Sequence, residues 1–333
     1  MGEAKQIVAD IRKGLIKPIY FLFGEEPYYI DAIASYIEKN LLAEEEKGFN
    51  QMVLYGKEVS IDEIVGNAKR YPMMAEKQVV IVKEAQELSR TIEKLTAYAD
   101  NPQPTTVLVI CYKYKKLDKR KKLYKSVQKT GVLFESKKLY ENQVSDWIRT
   151  NLQGKGYSIS HKAAILLTEY LGTDLSRIKN ELEKLRLVLP EKSEITPTDI
   201  ETHIGISKDY NNFELKKAIG ERNVVKATRI INYFSQNPKD NPFLLTIALL
   251  NTFFTQLLQY HGLTDHSPKS VASALRVSPY FVGEFQTAAK NYPMKKVSGI
   301  VSHLREMDLK GKGVGANALS QGDLLKELLV KII

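Results

Sequence analysis

Residues 21–31, FLFGEEPYYID, have the outline of a phosphate-binding loop. The apolar run IYFLF ends at Gly24 and passes through Pro27 into an apolar-periodic stretch, the order strand, turn, helix that aims a helix N-terminus at phosphates. A working loop of this kind also needs a second glycine, a lysine for the β and γ phosphates and a hydroxyl for magnesium. Here Glu25 and Glu26 follow Gly24 instead and are expected to repel phosphate at that mouth. The run VVIV leads into Lys83 and Glu84, which sets a cation where a magnesium-holding carboxylate is required. The residues therefore predict neither nucleotide binding nor any other cofactor. His161, His203, His261, His266 and His303 are far apart, and the single Cys111 sits in the apolar run VLVIC. An internal disulfide is impossible and a metal site is not expected. No catalytic residue is assigned.

A second chemistry is open to the stretch KYKKLDKRKKLYKSVQK, residues 113–129, which holds nine Lys or Arg against one Asp in a chain of net charge +10. Lys115, Lys116, Lys119, Arg120, Lys121 and Lys122, with Tyr112, Tyr114 and Tyr124 interleaved, form either a solvated lysine-rich face or a contact to nucleic-acid phosphates. A third candidate is the doublet Met73-Met74 in RYPMMAEKQ. Methionines between a helix and a strand commonly fill core gaps. Consecutive side chains, however, cannot both point into one core, and polar Glu76 and Lys77 follow at once. Arg177, in DLSRIKNEL, is read as the partner of Glu181 one helical turn on rather than as a functional residue.

The elements that must position these residues follow from periodicity. The chain has 333 residues, 43% of them apolar, enough for two or three domains. Apolar runs predict strands at 19–23, 52–55, 79–83, 106–111 and 132–134, alternating with helices as in an α/β domain with a mainly parallel sheet. Ser60 and Glu63 make a capping box for one of those helices. Beyond residue 140 no strand is expected. Helices are predicted around Trp147, over 160–171, from near Thr173, and from the cap Thr196 with Pro197 at its first position. Residues 211–333 read as helical throughout, broken at SQNPKDNP, LTDHSPKS and KNYPMKK. The apolar stretches, such as FLLTIALL from Phe243, look too short to span a bilayer, and the N-terminus is polar. A cytoplasmic protein without a membrane partner is expected.

An α/β domain with a dead nucleotide site, a small helical domain and an all-helical domain follow one another as in clamp-loader subunits of the AAA+ class. YFLFGEEPYYIDA, YPMMAEKQVVIVKEA, KLDKRKKLYK and LGTDLSRIKNELEKL, in this order and spacing, resemble the delta subunits of bacterial DNA polymerase III over essentially the whole chain. The resemblance implies an AAA+-like domain at 1–140, a helical lid at 141–210 and a helical collar at 211–333. It also implies a hetero-oligomeric ring with ATPase subunits and a delta-prime partner, inside the polymerase holoenzyme. The subunit would have no ATPase activity of its own. It would bind the sliding clamp and hold it open for loading on primer-template DNA, with the apolar doublet, here Met73 and Met74, entering a pocket on the clamp. A stand-alone nucleic-acid-binding protein and an active ATPase are the alternatives.

Overall fold

The computed structural model describes residues 2–314 and 319–333. The chain divides into two compact units, Met1–Leu139 and Tyr140–Ile333. In the first, the order is α1 (Gly2–Arg12), β1 (Ile19–Gly24), α2 (Pro27–Asn40), α3 (Glu44–Asn50), β2 (Gln51–Tyr55), α4 (Ile61–Ala68), β3 (Gln78–Lys83), α5 (Thr96–Asp100), β4 (Thr106–Lys113), α6 (Lys122–Thr130) and β5 (Val132–Ser136). The five strands make one all-parallel sheet in the order β2-β3-β4-β1-β5. Every residue of β1 is buried, as are all but the last of β3 and β4, which fits central strands covered by helices on both faces. Ile19, Phe21 and Phe23 face a core shared with α4, α5 and α6. Alternation turns Tyr20 and Leu22 to the other face, where α2 packs.

Strand order decides where a site can form. The chain leaves β1 for β2 on one side of it and later crosses from β4 to β5 on the other. The carboxyl end of β1, between β4 and β5, is thus the topological switch point, the crevice where open α/β sheets take their ligands.

The second unit comprises α7 (Glu141–Gln153), β6 (Ser158–Ile159), α8 (His161–Leu171), α9 (Leu175–Val188), β7 (Glu194–Ile195), α10 (Pro197–Ile204), α11 (Asn212–Gly220), α12 (Val224–Gln236), α13 (Phe243–His261), α14 (Pro268–Leu275), α15 (Val282–Asn291), α16 (Met294–Gly311) and α17 (Gln321–Ile332). Two details depart from expectation. The short strands β6 and β7 pair in parallel within the segment read as purely helical, a length too small to leave any periodic signal. Also, the apolar stretch at Phe243 extends into a 19-residue helix that is long and apolar enough to cross a membrane. Its Phe243, Ile247, Leu250, Phe254 and Leu257 are instead buried in the core formed by residues 215–332. The boundary expected near residue 210 falls inside this unit. There Glu214, 4% exposed, binds Lys162 of α8 at 2.8 Å and also Lys226 of α12.

Candidate functional site

At the switch point the loop after β1 is closed on itself. Gly24 has φ +126°, and a Cβ there would lie 2.0 Å from the Ser136 carbonyl oxygen, so only glycine fits. That same carbonyl accepts the Glu25 N–H at 2.9 Å and, more weakly, the Glu26 N–H at 3.5 Å. Ser136 Oγ donates back to the Glu26 carbonyl at 2.7 Å. The amides that would cradle a phosphate are therefore spent on the end of β5. The two glutamates do not stand side by side at the mouth as the sequence suggested. Glu26 is 4% exposed and caps α2 by accepting the Tyr28 N–H at 3.1 Å, while Glu25 pairs with Lys116 at 3.1 Å.

A lysine does reach this crevice, from β4. Lys113 Nζ lies 2.8 Å from Asp31 of α2 and 2.7 Å from Glu84 after β3. Burial alone would pull the Lys113 pKa down, but the two carboxylates outweigh it and hold the ammonium above its usual range. Burial likewise pushes the Glu84 carboxyl up, and the hydrogen bonds from Lys113 and Gln86 more than reverse that. Glu84 adopts φ +52°, a left-handed conformation uncommon for a residue other than glycine. Lys83 pairs with Glu38 at 3.0 Å. The crevice is thus filled by cation–carboxylate pairs joining α2, β3 and β4. Among the described residues no three His, Cys, Asp or Glu side chains form a group that could hold a metal. Cys111 is fully buried, its thiol pushed up to about 12 chiefly by burial, and so is not a nucleophile.

The basic stretch runs from the end of β4 across the same edge of the sheet into α6. Its charges meet acids, four of them from elsewhere in the unit and one, Asp118, from the stretch itself. Lys116 pairs with Glu25, Lys119 with Glu135 at 3.1 Å, Arg120 with Asp118 at 3.0 Å, Lys121 with Glu93 at 3.7 Å and Lys122 with Asp100 at 3.5 Å. Lys115 donates to Ser89 Oγ at 2.7 Å. The local excess of positive charge is smaller in space than along the chain. The basic groups of the five ion pairs remain at least half exposed, and water screens such pairs strongly, so a phosphate can exchange with a carboxylate partner at little cost.

The methionine doublet lies on the loop between α4 and β3. Met73 is 61% exposed and Met74 fully exposed, so neither fills the core. Met74 has φ +53°, a conformation that costs an L residue about 1–2 kcal/mol. Phe49 and Tyr71 are also largely exposed. Asn50 joins them from α3: its Oδ1 accepts the Met73 N–H at 2.6 Å, and its Nδ2 donates to the Met73 carbonyl at 2.9 Å. Sequence reasoning missed Asn50, Lys113 and Ser136 as parts of these sites, because each acts on a residue at least 23 positions away. Tyr71 was not singled out either, although its place two residues before the doublet could have pointed to it. Arg177 does not pair as expected: Glu181 bonds Lys184 at 2.8 Å, and the Arg177 backbone N–H donates to the cap Asp174.

Comparison with known proteins agrees with this architecture. Residues 20–137 match the family model described as DNA polymerase III, delta subunit, and residues 209–325 match its C-terminal domain model. The DNA polymerase III subunit delta of Bacillus subtilis (strain 168) is 29% identical over 315 residues, covering 91% of this chain and 90% of the relative. A probable DNA polymerase III subunit delta of Aquifex aeolicus (strain VF5) is 21% identical over 308 residues, covering 88% and 86%. Among solved structures, the Bacillus subtilis DNA clamp loader delta protein superposes with a TM-score of 0.58 at 26% identity over 99% of both chains. With an α/β unit and a helical unit each matched in order by its model, the chain belongs to the DNA polymerase III delta subunit family.

Proposed function

We propose that this protein, as a clamp-loader subunit, binds the ring-shaped sliding clamp and holds it open for loading on primer-template DNA, without hydrolysing ATP itself. It would do so in the cytoplasm as one member of a hetero-oligomer with ATPase subunits and a delta-prime partner, within the polymerase III holoenzyme. The observation that carries the reading is the exposed doublet Met73-Met74. Two adaptable apolar side chains offered to solvent on a fixed backbone suit insertion into an apolar pocket of a partner. The spent amides around Gly24 support a subunit that leaves hydrolysis to its neighbours. The basic stretch, with side chains held in weak exposed pairs, is the proposed contact to DNA phosphates through Lys115, Lys116, Lys119, Arg120, Lys121 and Lys122. The same pairing weighs against a stand-alone nucleic-acid binder, because much of the charge is compensated within the unit.

Binding of the purified protein to purified sliding clamp, before and after Met73→Ala with Met74→Ala, tests the reading. Each buried methionine contributes roughly 1.5–3 kcal/mol of transfer energy, and hot-spot truncations do not add fully, so a loss of about a hundredfold in affinity is expected. The thermal midpoint should stay put, because an exposed doublet stabilises nothing in the free protein. A double variant that binds the clamp as tightly as the parent would refute the contact.

A further inference from the structure

The doublet is held in place by a side chain that does not itself reach solvent. Asn50, the last residue of α3, is 4% exposed. Its carboxamide takes both polar groups of one peptide residue, accepting from Met73 N–H at 2.6 Å and donating to Met73 O at 2.9 Å, while its Nδ2 also lies 3.2 Å from the Glu46 carbonyl. This is the reciprocal exchange that two residues make in a hydrogen-bonded strand pair, executed here by a side chain. Of the short side chains only asparagine presents a donor and an acceptor side by side at this reach. Aspartate would keep the bond to Met73 N–H and set a carboxylate oxygen against Met73 O.

A second buried carboxamide holds the base of the loop. Gln78, at the start of β3, donates from Nε2 to the Arg70 carbonyl at 2.5 Å and to Thr106 Oγ1 at 2.7 Å. Between these anchors Met74 keeps a left-handed backbone and a fully exposed side chain. A strained, solvent-directed apolar residue persists only where its surroundings over-determine it, and such places mark binding elements. A loop fixed in its bound shape loses less freedom when a partner closes on it.

We infer that Asn50 is the positioning residue of the clamp contact, acting only through the Met73 backbone. The inference rests on the clamp-binding reading given above. A change at Asn50 leaves both methionines in the chain and removes the scaffold that presents them. Asn50→Ala should therefore weaken clamp binding about tenfold, with a slower association rate, and the Met73 amide should lose its protection against hydrogen exchange. Asn50→Asp, closer in shape and easier to accommodate, should lose affinity in the same direction.

The distinguishing measurement is made in two backgrounds, with full-length protein and purified clamp. In the Met73→Ala, Met74→Ala background a further Asn50→Ala should change clamp affinity by less than twofold, because there is no doublet left to position. An effect of equal size in both backgrounds would mark a merely structural residue and overturn the inference. Wild-type affinity in both Asn50 variants beside lost affinity in the doublet variant would overturn the positioning role and leave the clamp contact standing. Wild-type affinity in the doublet variant would remove the contact and the inference together.

Discussion

The Ser136 carbonyl accepts the backbone N–H of Glu25 at 2.9 Å, across a sheet register that pairs Gly24 with Ser136. An oxygen of the protein thus occupies a direction in which a phosphate oxygen would have to be received. An anion could enter only by breaking the β1–β5 closure and by displacing the carboxylates around Lys113. Titration with a fluorescent ATP analogue at physiological magnesium is expected to show no saturable binding. Micromolar affinity would contradict the closed loop.

Gly24→Ala should be among the most damaging single changes in the first unit. The added methyl would meet backbone rather than a movable side chain, at 2.0 Å, and φ +126° is strained for alanine in any case. Overpacking of this kind costs about 1–3 kcal/mol before the dihedral strain is counted. Calorimetry should show a lowered midpoint or an insoluble product, and an unchanged midpoint would mean the β1–β5 junction is softer than its geometry.

Lys113→Met should destabilise the protein at neutral pH by leaving Asp31 and Glu84 facing one another without their cation. The ammonium is nearly buried but both carboxylates are partly exposed, so the cost is about 1–3 kcal/mol, below that of a fully buried pair. The pH dependence has a definite sign. The folded pKa of Glu84 lies below its unfolded value, so its contribution is present above the ordinary carboxylate range and fades as pH falls through the folded value. The deficit of the variant relative to the parent should therefore shrink on acidification from pH 7 towards pH 3. A deficit independent of pH would assign it to packing of the lysine stem.

Neutralising Lys115, Lys116 and Lys119 together should flatten the salt dependence of DNA binding by the assembled loader. Each phosphate contact contributes about 0.7–0.9 to the slope of log affinity against log salt, so a change of roughly two is expected. An unchanged slope would mean that these side chains remain with their partners inside the unit, among them Glu25 and Glu135.

What was legible in the sequence was what neighbouring residues decide among themselves. All five strands of the sheet appear where apolar runs placed them. Ser60 and Glu63 exchange their capping bonds at 3.2 and 2.8 Å, and Thr196 caps α10 with Pro197 at its first position. These signals lie within four residues and depend on backbone geometry alone. The doublet, the basic stretch and the missing lysine were visible for the same reason, as local composition. Tertiary structure decided the rest. Lys113 enters the crevice, and the Ser136 carbonyl takes the loop amides, only because β1 is inserted between β4 and β5. The basic stretch meets Glu25 and Glu135 only when strand ends distant in the chain share one edge. Asn50 reaches Met73 across 23 residues. Which carboxylate compensates which lysine, and which amide is free for a ligand, is set by the order in which strands assemble; periodicity and capping do not encode that order.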